Sequence, residues 1–397
     1  MMQQRLLIAA RRTLAVLFLT GSLFVSAASF AQSLPTIRTT FGARNVLEPS
    51  PCFEFACFNR ASYDGNTLAA IGATYPAVYV FLRLSSGPWY QQRVLQNRTA
   101  LAPGYDTAGY RYPIAVVGDD ILVTAFQSGP DVPATCATHV FGRTGTSWQV
   151  KQVIDTCAGQ FAKDGHRILF GTAGQMPIYG RGANGLFSEE SRVFPPSAGI
   201  FNAQKSIALH GWTVVIGTPL ANSETGAAYI FQRRSGQWLL LETLVPDGGG
   251  GTRFGASVAA YEYNVAVGAP GAVNPSGVGR GLIYMYTGVG DNWAISQEIT
   301  EPPGTDNTFG TALAMRGRRL VVSADNFYPY ATGPFVYLYE RGVRQSDWTP
   351  RGQFATGNGL SIELSGSTAL VDVEGLRFGT FPAIVNLPAL REPDVAP

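Results

Sequence analysis

The side chains able to do acid–base or metal chemistry are few in this sequence and lie far apart. The three histidines, His139, His166 and His210, do not show the spacing of metal ligands. The carboxylates are scattered, so the sequence neither indicates nor excludes a glycosidase-like pair of acids. We therefore predict no catalytic residue, no metal site and no cofactor, and we favour a protein that is not an enzyme.

The sequence supports neither of two common active-site motifs, the phosphate-binding loop and the nucleophile motif. The run Gly248–Gly251 is glycine-rich like a phosphate-binding loop, but no Lys-Ser or Lys-Thr pair follows it and no helix is indicated. A G-x-S-x-G nucleophile motif is absent from the sequence. We interpret Gly248–Gly251 as an ordinary loop.

The N-terminus predicts export. Three arginines precede an apolar stretch over residues 14–25, and small residues stand at Ser29 and Ala31. We predict a signal peptide at 1–31, a mature chain at 32–397, and a periplasmic or extracellular location. Cleavage removes three of the 29 Lys and Arg and none of the 27 Asp and Glu, so the remaining chain is close to neutral. Such a charge argues against nucleic-acid partners, and no later apolar run has the length of a membrane span.

Composition indicates one large all-β unit. The chain contains 46 Gly and 25 Pro, together with many Val, Tyr, Phe and Thr, and this composition does not shift along its length.

A repeated apolar strand decides the fold class. Its seven copies follow tight turns, and their first residues are spaced 53, 47, 46, 51, 55 and 49 residues apart, at Leu68, Ile121, Ile168, Val214, Val265, Leu320 and Ala369. A period of about 50 residues that contains only strands is typical of propeller blades. We predict a single all-β, seven-bladed β-propeller with four-stranded blades at approximately 52–98, 108–156, 157–198, 200–246, 254–301, 309–353 and 354–390.

Aromatic residues recur within the repeat. Most copies have an aromatic third strand, and a tryptophan opens the fourth strand of five copies, at Trp89, Trp148, Trp238, Trp293 and Trp348. We predict that these rings pack between neighbouring blades. Copies three and seven lack this tryptophan and should be the least regular. We also predict that Thr36–Thr40 supplies the fourth strand of the seventh blade and closes the ring.

Two landmarks within the repeat resemble a known family. Phe254-Gly255 is followed by Gly268-Ala269-Pro270, and an eroded pair, Phe309-Gly310 and Ser323-Ala324-Asp325, has the same spacing. This pattern resembles the FG-GAP repeats of integrin α-subunit heads, with kelch repeats as the nearest rival. The resemblance implies an adhesion or protein-interaction scaffold. The calcium sites of that family are not carried over, because the turns here are two residues long and Ca²⁺ needs six to eight oxygen ligands. We interpret Asp119-Asp120 as a solvated hairpin turn.

Four cysteines remain after export, and an even number in an oxidising compartment predicts two disulfides. Cys136 ends the second-to-third-strand loop of copy two, and Cys157 follows the fourth strand of that copy. Both connections emerge on one face of a propeller, so we predict Cys136–Cys157, and by exclusion Cys52–Cys57.

The same face carries the candidate binding residues. Its long loops contain aromatic and arginine side chains, which dominate contact surfaces: Tyr105, Tyr112, Phe327, Tyr328, Tyr330, Arg253 and Arg280. Packing of the loops is the alternative role for these rings, and Tyr110 in particular has the spacing of Phe254. We predict a monomeric scaffold for an unknown protein or glycan partner. A carbohydrate-binding or carbohydrate-active propeller, and a structural module with no ligand, remain alternatives.

Overall fold

Antiparallel strands form nearly all of the regular structure in the computed structural model, which describes residues 58–72, 77–83, 89–96, 107–129, 132–172, 174–195, 206–246, 250–273, 280–289, 291–301, 308–325, 335–342, 347–355, 362–374 and 380–390. The strands pair in chain order into seven blades, which confirms the predicted seven-bladed propeller. Helix is almost absent from the described residues, where one four-residue element, Ala221–Glu224 (α1), is found.

The blades are consecutive along the chain. Blades 1 to 3 contain β1 Phe58–Asp64, β2 Thr67–Gly72, β3 Val78–Arg83, β4 Trp89–Leu95; β5 Thr107–Val117, β6 Asp120–Gly129, β7 Val132–Thr144, β8 Ser147–Ile154; β9 Gln160–Asp164, β10 Arg167–Gly171, β11 Met176–Arg181 and β12 Phe187–Val193. Blades 4 and 5 contain β13 Ile207–His210, β14 Thr213–Thr218, β15 Ala227–Arg234, β16 Gln237–Leu244; β17 Ser257–Tyr261, β18 Asn264–Val273, β19 Arg280–Val289 and β20 Asn292–Thr300. Blades 6 and 7 contain β21 Thr308–Arg316, β22 Arg319–Asp325, β23 Phe335–Arg341, β24 Trp348–Ala355; β25 Ile362–Ser365, β26 Thr368–Glu374 and β27 Thr380–Asn386.

Two-residue turns join the first two strands of every blade. The first turn residue has a positive φ in all seven, and it is glycine in six of them. Blade 5 instead places Glu262 there, at φ 52°. A side chain with a Cβ resists this conformation, so the turn of blade 5 stores backbone strain that the other turns avoid.

The tryptophan position is equally regular. Trp89, Trp148, Trp238 and Trp348 each pair with an arginine of the preceding strand. Phe187 pairs with Arg181 in the same way, so a phenylalanine takes this position in blade 3. The prediction of an irregular third blade was therefore wrong, because Phe187 replaces the missing tryptophan and blade 3 has all four strands.

The tryptophan position also connects neighbouring blades, as predicted. Trp148 Nε1 donates to Gln92 Oε1 at 2.7 Å, and Trp238 Nε1 donates to Ser191 Oγ at 2.9 Å. The backbone amide of Trp348 donates to Gln297 Oε1 at 2.7 Å. Each of these bonds joins the outer strand of one blade to that of the next.

Seven hydrophobic clusters lie at the seven seams between blades, and each draws its buried residues from two adjacent blades. The cluster between the last blade and the first contains Tyr63, Phe81, Leu370 and Ile384. The core is therefore continuous around the ring. The predicted closing segment, Thr36–Thr40, lies outside the described residues.

Polar contacts at the inner strands also join distant parts of the chain. Tyr63 Oη lies 2.9 Å from the carbonyl oxygen of Thr368 in blade 7. Lys163 Nζ of blade 3 donates to the carbonyls of Tyr63 and Val116, both at 2.7 Å, and forms an ion pair with Glu363 of blade 7. One ammonium group thus links four blades at the centre of the ring.

Close glycine contacts define the seams of blade 5. A Cβ placed on Gly217 would lie 2.1 Å from the carbonyl oxygen of Gly255, and one on Gly268 would lie 2.2 Å from that of Gly310. The Phe-Gly landmark of each following blade therefore rests directly on the landmark glycine of the blade before it. Only a residue without a side chain allows two backbones to approach this closely.

Candidate functional site

The meander of each blade gives the propeller two different faces. The two-residue turns lie on one face, here called the turn face, together with the connections between third and fourth strands. The longer connections between second and third strands and between blades lie on the other, the loop face. The sequence places its candidate residues on the loop face.

Most of these candidates cannot be placed as side chains. Tyr105, Phe327, Tyr328 and Tyr330 lie outside the described residues. The backbones of two others are described: Tyr112 lies in β5 at a register irregularity, and Arg280 pairs with Thr308 across the seam to blade 6.

Arg253 is the one candidate whose side chain is described. It is half exposed, and its guanidinium lies 3.4 Å from the carboxylate of Glu224, whose side chain is exposed to the same extent. The backbone here is strained, since Asn222, Ser223, Glu224 and Arg253 all have positive φ. The α1 element is thus a left-handed turn, held by a hydrogen bond from the Arg253 amide to the Glu224 carbonyl at 2.9 Å.

A disulfide joins Cys136 to Cys157, with their Cα atoms 5.3 Å apart, which confirms this predicted pairing. Cys52 and Cys57 lie outside the described residues. The bond connects β7 to the segment after β8 on the loop face of blade 2. A cavity of about 170 Å³ lies beside it and is lined by residues that include Phe126, His139 and Asp155.

Tyr110 lies next to His139, which lines this cavity. It is buried, its ring centroid lies 5.6 Å from that of Phe141, and its hydroxyl lies 3.3 Å from His139 Nδ1. Burial raises the pKa of Tyr110 to about 12 and lowers the pKa of His139 below its ordinary value. A neutral imidazole beside a protonated phenol therefore faces the cavity at neutral pH.

The interpretation of Asp119-Asp120 as a solvated hairpin turn holds for one of the two aspartates and is wrong for the other. Asp119 is solvent-exposed, as expected for a hairpin turn, but Asp120 is buried. Asp120 forms ion pairs with Lys151 at 2.7 Å and with Arg181 of blade 3 at 2.5 Å. A buried carboxylate needs such partners, so Asp120 is part of the seam between blades 2 and 3 and not a solvated residue.

The turn face carries an aromatic cluster that the sequence analysis missed. Trp212, in the turn of blade 4, leaves 55% of its surface exposed. The guanidinium carbons of Arg167 and Arg233 lie over its ring, 4.5 and 5.1 Å from the centroid. Tyr263, at the same position in blade 5, is 67% exposed. We call these four residues, together with His210 and Tyr261, the Trp212 patch.

Contacts beneath the Trp212 patch hold it in place. His210 stacks on Tyr261 with a centroid distance of 4.3 Å, which connects the turns of blades 4 and 5. Arg167 also donates to the carbonyl of Gly211 at 2.8 Å. Asp164 accepts from the amide of Gly211 at 2.6 Å, and hydrogen bonding from His210 is the main cause that lowers the pKa of Asp164.

A sequence signal for this patch did exist. Trp212 is the one tryptophan out of phase with the repeat, and it stands, like Tyr263 in blade 5, in a turn where the other five blades have Asn, Asp, His, Arg or Ser. A large aromatic side chain at a position that no seam can bury is a candidate for a contact surface.

The side chains of the Trp212 patch are of the types that dominate contact surfaces. Among the residues that the structure describes, no group of three or more His, Cys, Asp and Glu side chains is arranged to hold a metal ion. Trp, Tyr and Arg dominate the energetics of protein contact surfaces, and the Trp212 patch combines all three.

Comparison with known proteins supports the fold. No protein-family model and no curated protein matches this chain. A chain in the crystal structure of the mitotic checkpoint complex is similar in structure, with a TM-score of 0.54 and 12% identity, over 96% of this chain and all of that one. A protein from Lactobacillus plantarum has a TM-score of 0.46 and 11% identity, over 79% and 94% of the two chains. At such identities the likeness to the first chain shows the propeller fold alone.

Two findings concern where the chain resides. In the described part of the chain, no helix is long and apolar enough to cross a membrane. The Cys136–Cys157 disulfide indicates an oxidising, non-cytoplasmic compartment, since such bonds are rare where thiols are kept reduced.

Proposed function

We propose that this protein is exported and acts outside the cytoplasm as a non-enzymatic scaffold for protein interaction or adhesion. The Trp212 patch is the observation that carries the proposal. It offers an exposed tryptophan and an exposed tyrosine on adjacent turns, and two arginines hold the tryptophan ring. Rigid aromatic side chains of this kind act as anchors because little conformational entropy is lost on binding.

A protein partner fits this surface better than a glycan. A sugar that stacks on tryptophan would compete with the two guanidinium groups that already lie over the ring of Trp212. The carbohydrate alternative therefore becomes one outcome of the experiment below. The loop-face residues Tyr105, Tyr112, Phe327, Tyr328, Tyr330, Arg253 and Arg280 form a second candidate surface.

We further propose that the blades are divergent FG-GAP repeats. The contact of Gly255 with Gly217, and that of Gly310 with Gly268, support this relationship, because both landmarks meet at the seams where two backbones pack closely.

Export predicts that the mature protein begins at Gln32, and a measurement of its intact mass would show this.

The test is capture of partners from the native cell envelope, followed by titration of each purified partner. We expect the Trp212→Ala/Tyr263→Ala variant to weaken binding at least tenfold, since anchor residues contribute most of the affinity. The control is Leu239→Ala/Leu240→Ala, which removes two exposed side chains from the outer strand of the same blade.

Other results would redirect the proposal. Full binding by the Trp212→Ala/Tyr263→Ala variant, with loss in Tyr328→Ala/Tyr330→Ala, would move the contact to the loop face. Binding to a glycan array that depends on Trp212, with no protein partner captured, would favour the carbohydrate alternative.

A further inference from the structure

The cavity beside the disulfide of blade 2 is a candidate ligand site on the face opposite the Trp212 patch. It is open to solvent, since Thr135 and Asp155 of its lining are exposed, and its volume of about 170 Å³ is sufficient for a molecule of several heavy atoms. Its lining combines the phenyl ring of Phe126, the imidazole of His139 and the carboxylate of Asp155 with the small side chain of Ala137.

Comparison with blade 5 explains why blade 2 has a cavity here. Ala137 pairs with Ala125 as Leu282 pairs with Ala269, and His139 pairs with Val123 as Tyr284 pairs with Val267. At these two positions of the repeat, blade 2 therefore has alanine and histidine where blade 5 has leucine and tyrosine. The smaller side chains leave space that blade 5 fills.

The walls of the cavity are held in a fixed arrangement. Cys136 lines it, and the disulfide ties this strand to Cys157, two residues after Asp155. Thr138 Oγ1 donates to the carbonyl of Thr156 at 2.9 Å, and the hydroxyl of Thr156 lies 3.2 Å from that of Tyr179. The segment that bears Asp155 is thus attached to β7 and to β11, so binding of a ligand would cost little conformational entropy in this segment.

The electrostatics of the cavity favour a cation. The described residues that line it include no lysine or arginine. Asp155 is exposed, and its carboxylate makes no hydrogen bond or ion pair with another described residue. His139 is neutral at pH 7 and does not oppose a positive charge. An aromatic ring attracts a cation through its face, and this attraction is the usual basis for recognition of quaternary ammonium groups.

We propose that this cavity binds a small organic cation whose ammonium group lies between the carboxylate of Asp155 and the ring of Phe126. The body of the ligand occupies the space beside Ala137. Tyr110 holds the imidazole of His139 through Nδ1 at the inner wall. The site does not depend on the scaffold function proposed for the turn face.

The test uses choline as the probe and dimethylbutanol, its uncharged carbon analogue, as the matched control ligand. We expect calorimetric titration of the full-length mature protein to show binding of choline and none of dimethylbutanol. Asp155→Asn should weaken choline binding about tenfold, because a charge-assisted contact contributes about 1.5 kcal/mol. Ala137→Leu should abolish binding, because it fills the cavity with the leucine side chain that blade 5 has at this position.

Asp119→Asn is the control variant, since it removes an exposed carboxylate from the turn face of the same blade and should bind choline normally. Circular dichroism verifies that each variant is folded. If Ala137→Leu fails to fold, Asp155→Asn still decides the matter. Absence of choline binding, equal binding of dimethylbutanol, or an unchanged affinity in Asp155→Asn would overturn the proposal.

Discussion

Blades 2 and 5 have aromatic rings at the same three positions of the repeat, but the clusters that these rings form differ in polarity. In blade 5, Phe254 packs edge-on against Tyr284 and Tyr286, with centroids 5.3 and 6.4 Å apart. In blade 2, Tyr110 packs against His139 and Phe141 at 5.7 and 5.6 Å. The geometry of packing is retained, while one apolar cluster has become partly polar.

The seams that follow these two blades also differ. Gly268 of blade 5 lies directly under the carbonyl of Gly310, with no room for a side chain. The same position in blade 2 is Thr124, which is buried and whose hydroxyl donates to the carbonyl of Ala158 in blade 3 at 3.1 Å. One seam is closed by backbone contact and the other by a hydrogen bond.

This difference shows that blades of one propeller can be stabilised in different ways. Blade 5 fills its loop-face end with Leu282 and Tyr284 and forms tight seams on both sides. Blade 2 has smaller side chains at these positions, has a cavity lined partly by polar residues, and is stabilised by a disulfide. A blade can depart from the repeat where another constraint replaces the lost packing.

The largest effect that separates the two blades should come from an added methyl group. We expect Gly268→Ala to lower the free energy of unfolding by about 3 kcal/mol, because its Cβ would lie 2.2 Å from the carbonyl oxygen of Gly310. Thr124→Ala, the matched change in blade 2, should cost only about 1 kcal/mol for the lost hydrogen bond. Urea unfolding curves with a common slope measure both values.

Equal losses in the two variants would show that the seams do not differ as described. Tolerance of Gly268→Ala would also weaken the relationship to FG-GAP repeats, since the glycine landmark would then have no steric reason. Ala272→Gly, a change within the same strand of blade 5, serves as a control for general sensitivity of that strand.

Much of the fold was predictable, because it rests on features that repeat. Apolar strands such as Val265–Gly268 recur with a period near 50, and the tryptophan position recurs with them, so local signals add up over seven copies. The Cys136–Cys157 pairing followed from the same regularity. Blade 3 was misjudged because the search required tryptophan, while Phe187 has a ring large enough to fill the position.

The candidate sites were harder to predict, because they lie where the repeat is broken. The cavity depends on which side chains are absent, and the small size of Ala137 has meaning only after it is aligned with Leu282 through the strand register. The role of Asp120 depends on Lys151 and on Arg181 of the next blade, which are 31 and 61 residues distant. Contacts between blades at such separations leave no local pattern in the sequence.

A smaller effect should come from the turns of the two blades. Blade 5 has Glu262 at φ 52°, where blade 2 has Gly118 at φ 59°. We expect Glu262→Gly to raise the free energy of unfolding by about 1 kcal/mol, because glycine adopts this conformation without strain. Gly118→Ala should lower it by a similar amount, and no atom within 4 Å opposes its Cβ, so the cost is that of the backbone alone. Thermal unfolding of both variants checks the pair, and a destabilised Glu262→Gly variant would contradict this account of the turn.

The smallest expected effect is a difference in pH dependence that originates at His139. Burial lowers its pKa in the folded protein, so below about pH 6.5, the ordinary value for histidine, the unfolded chain binds a proton that the folded protein resists. The contribution of His139 to stability is therefore complete above that pH and declines as the pH falls. The lowered pKa of Asp164 acts only in a more acidic range, near the ordinary pKa of an aspartate. His139→Tyr, which gives blade 2 the ring of blade 5, should flatten the loss of stability between pH 7 and pH 5.

His166→Gln, at an exposed turn position of blade 3, is the control and should leave the slope as it is in the wild type. Urea midpoints at the two pH values provide the measurement. An unchanged slope in His139→Tyr would mean that the imidazole of blade 2 is solvated like a surface histidine, and that the polar cluster is no more sensitive to pH than the apolar one in blade 5.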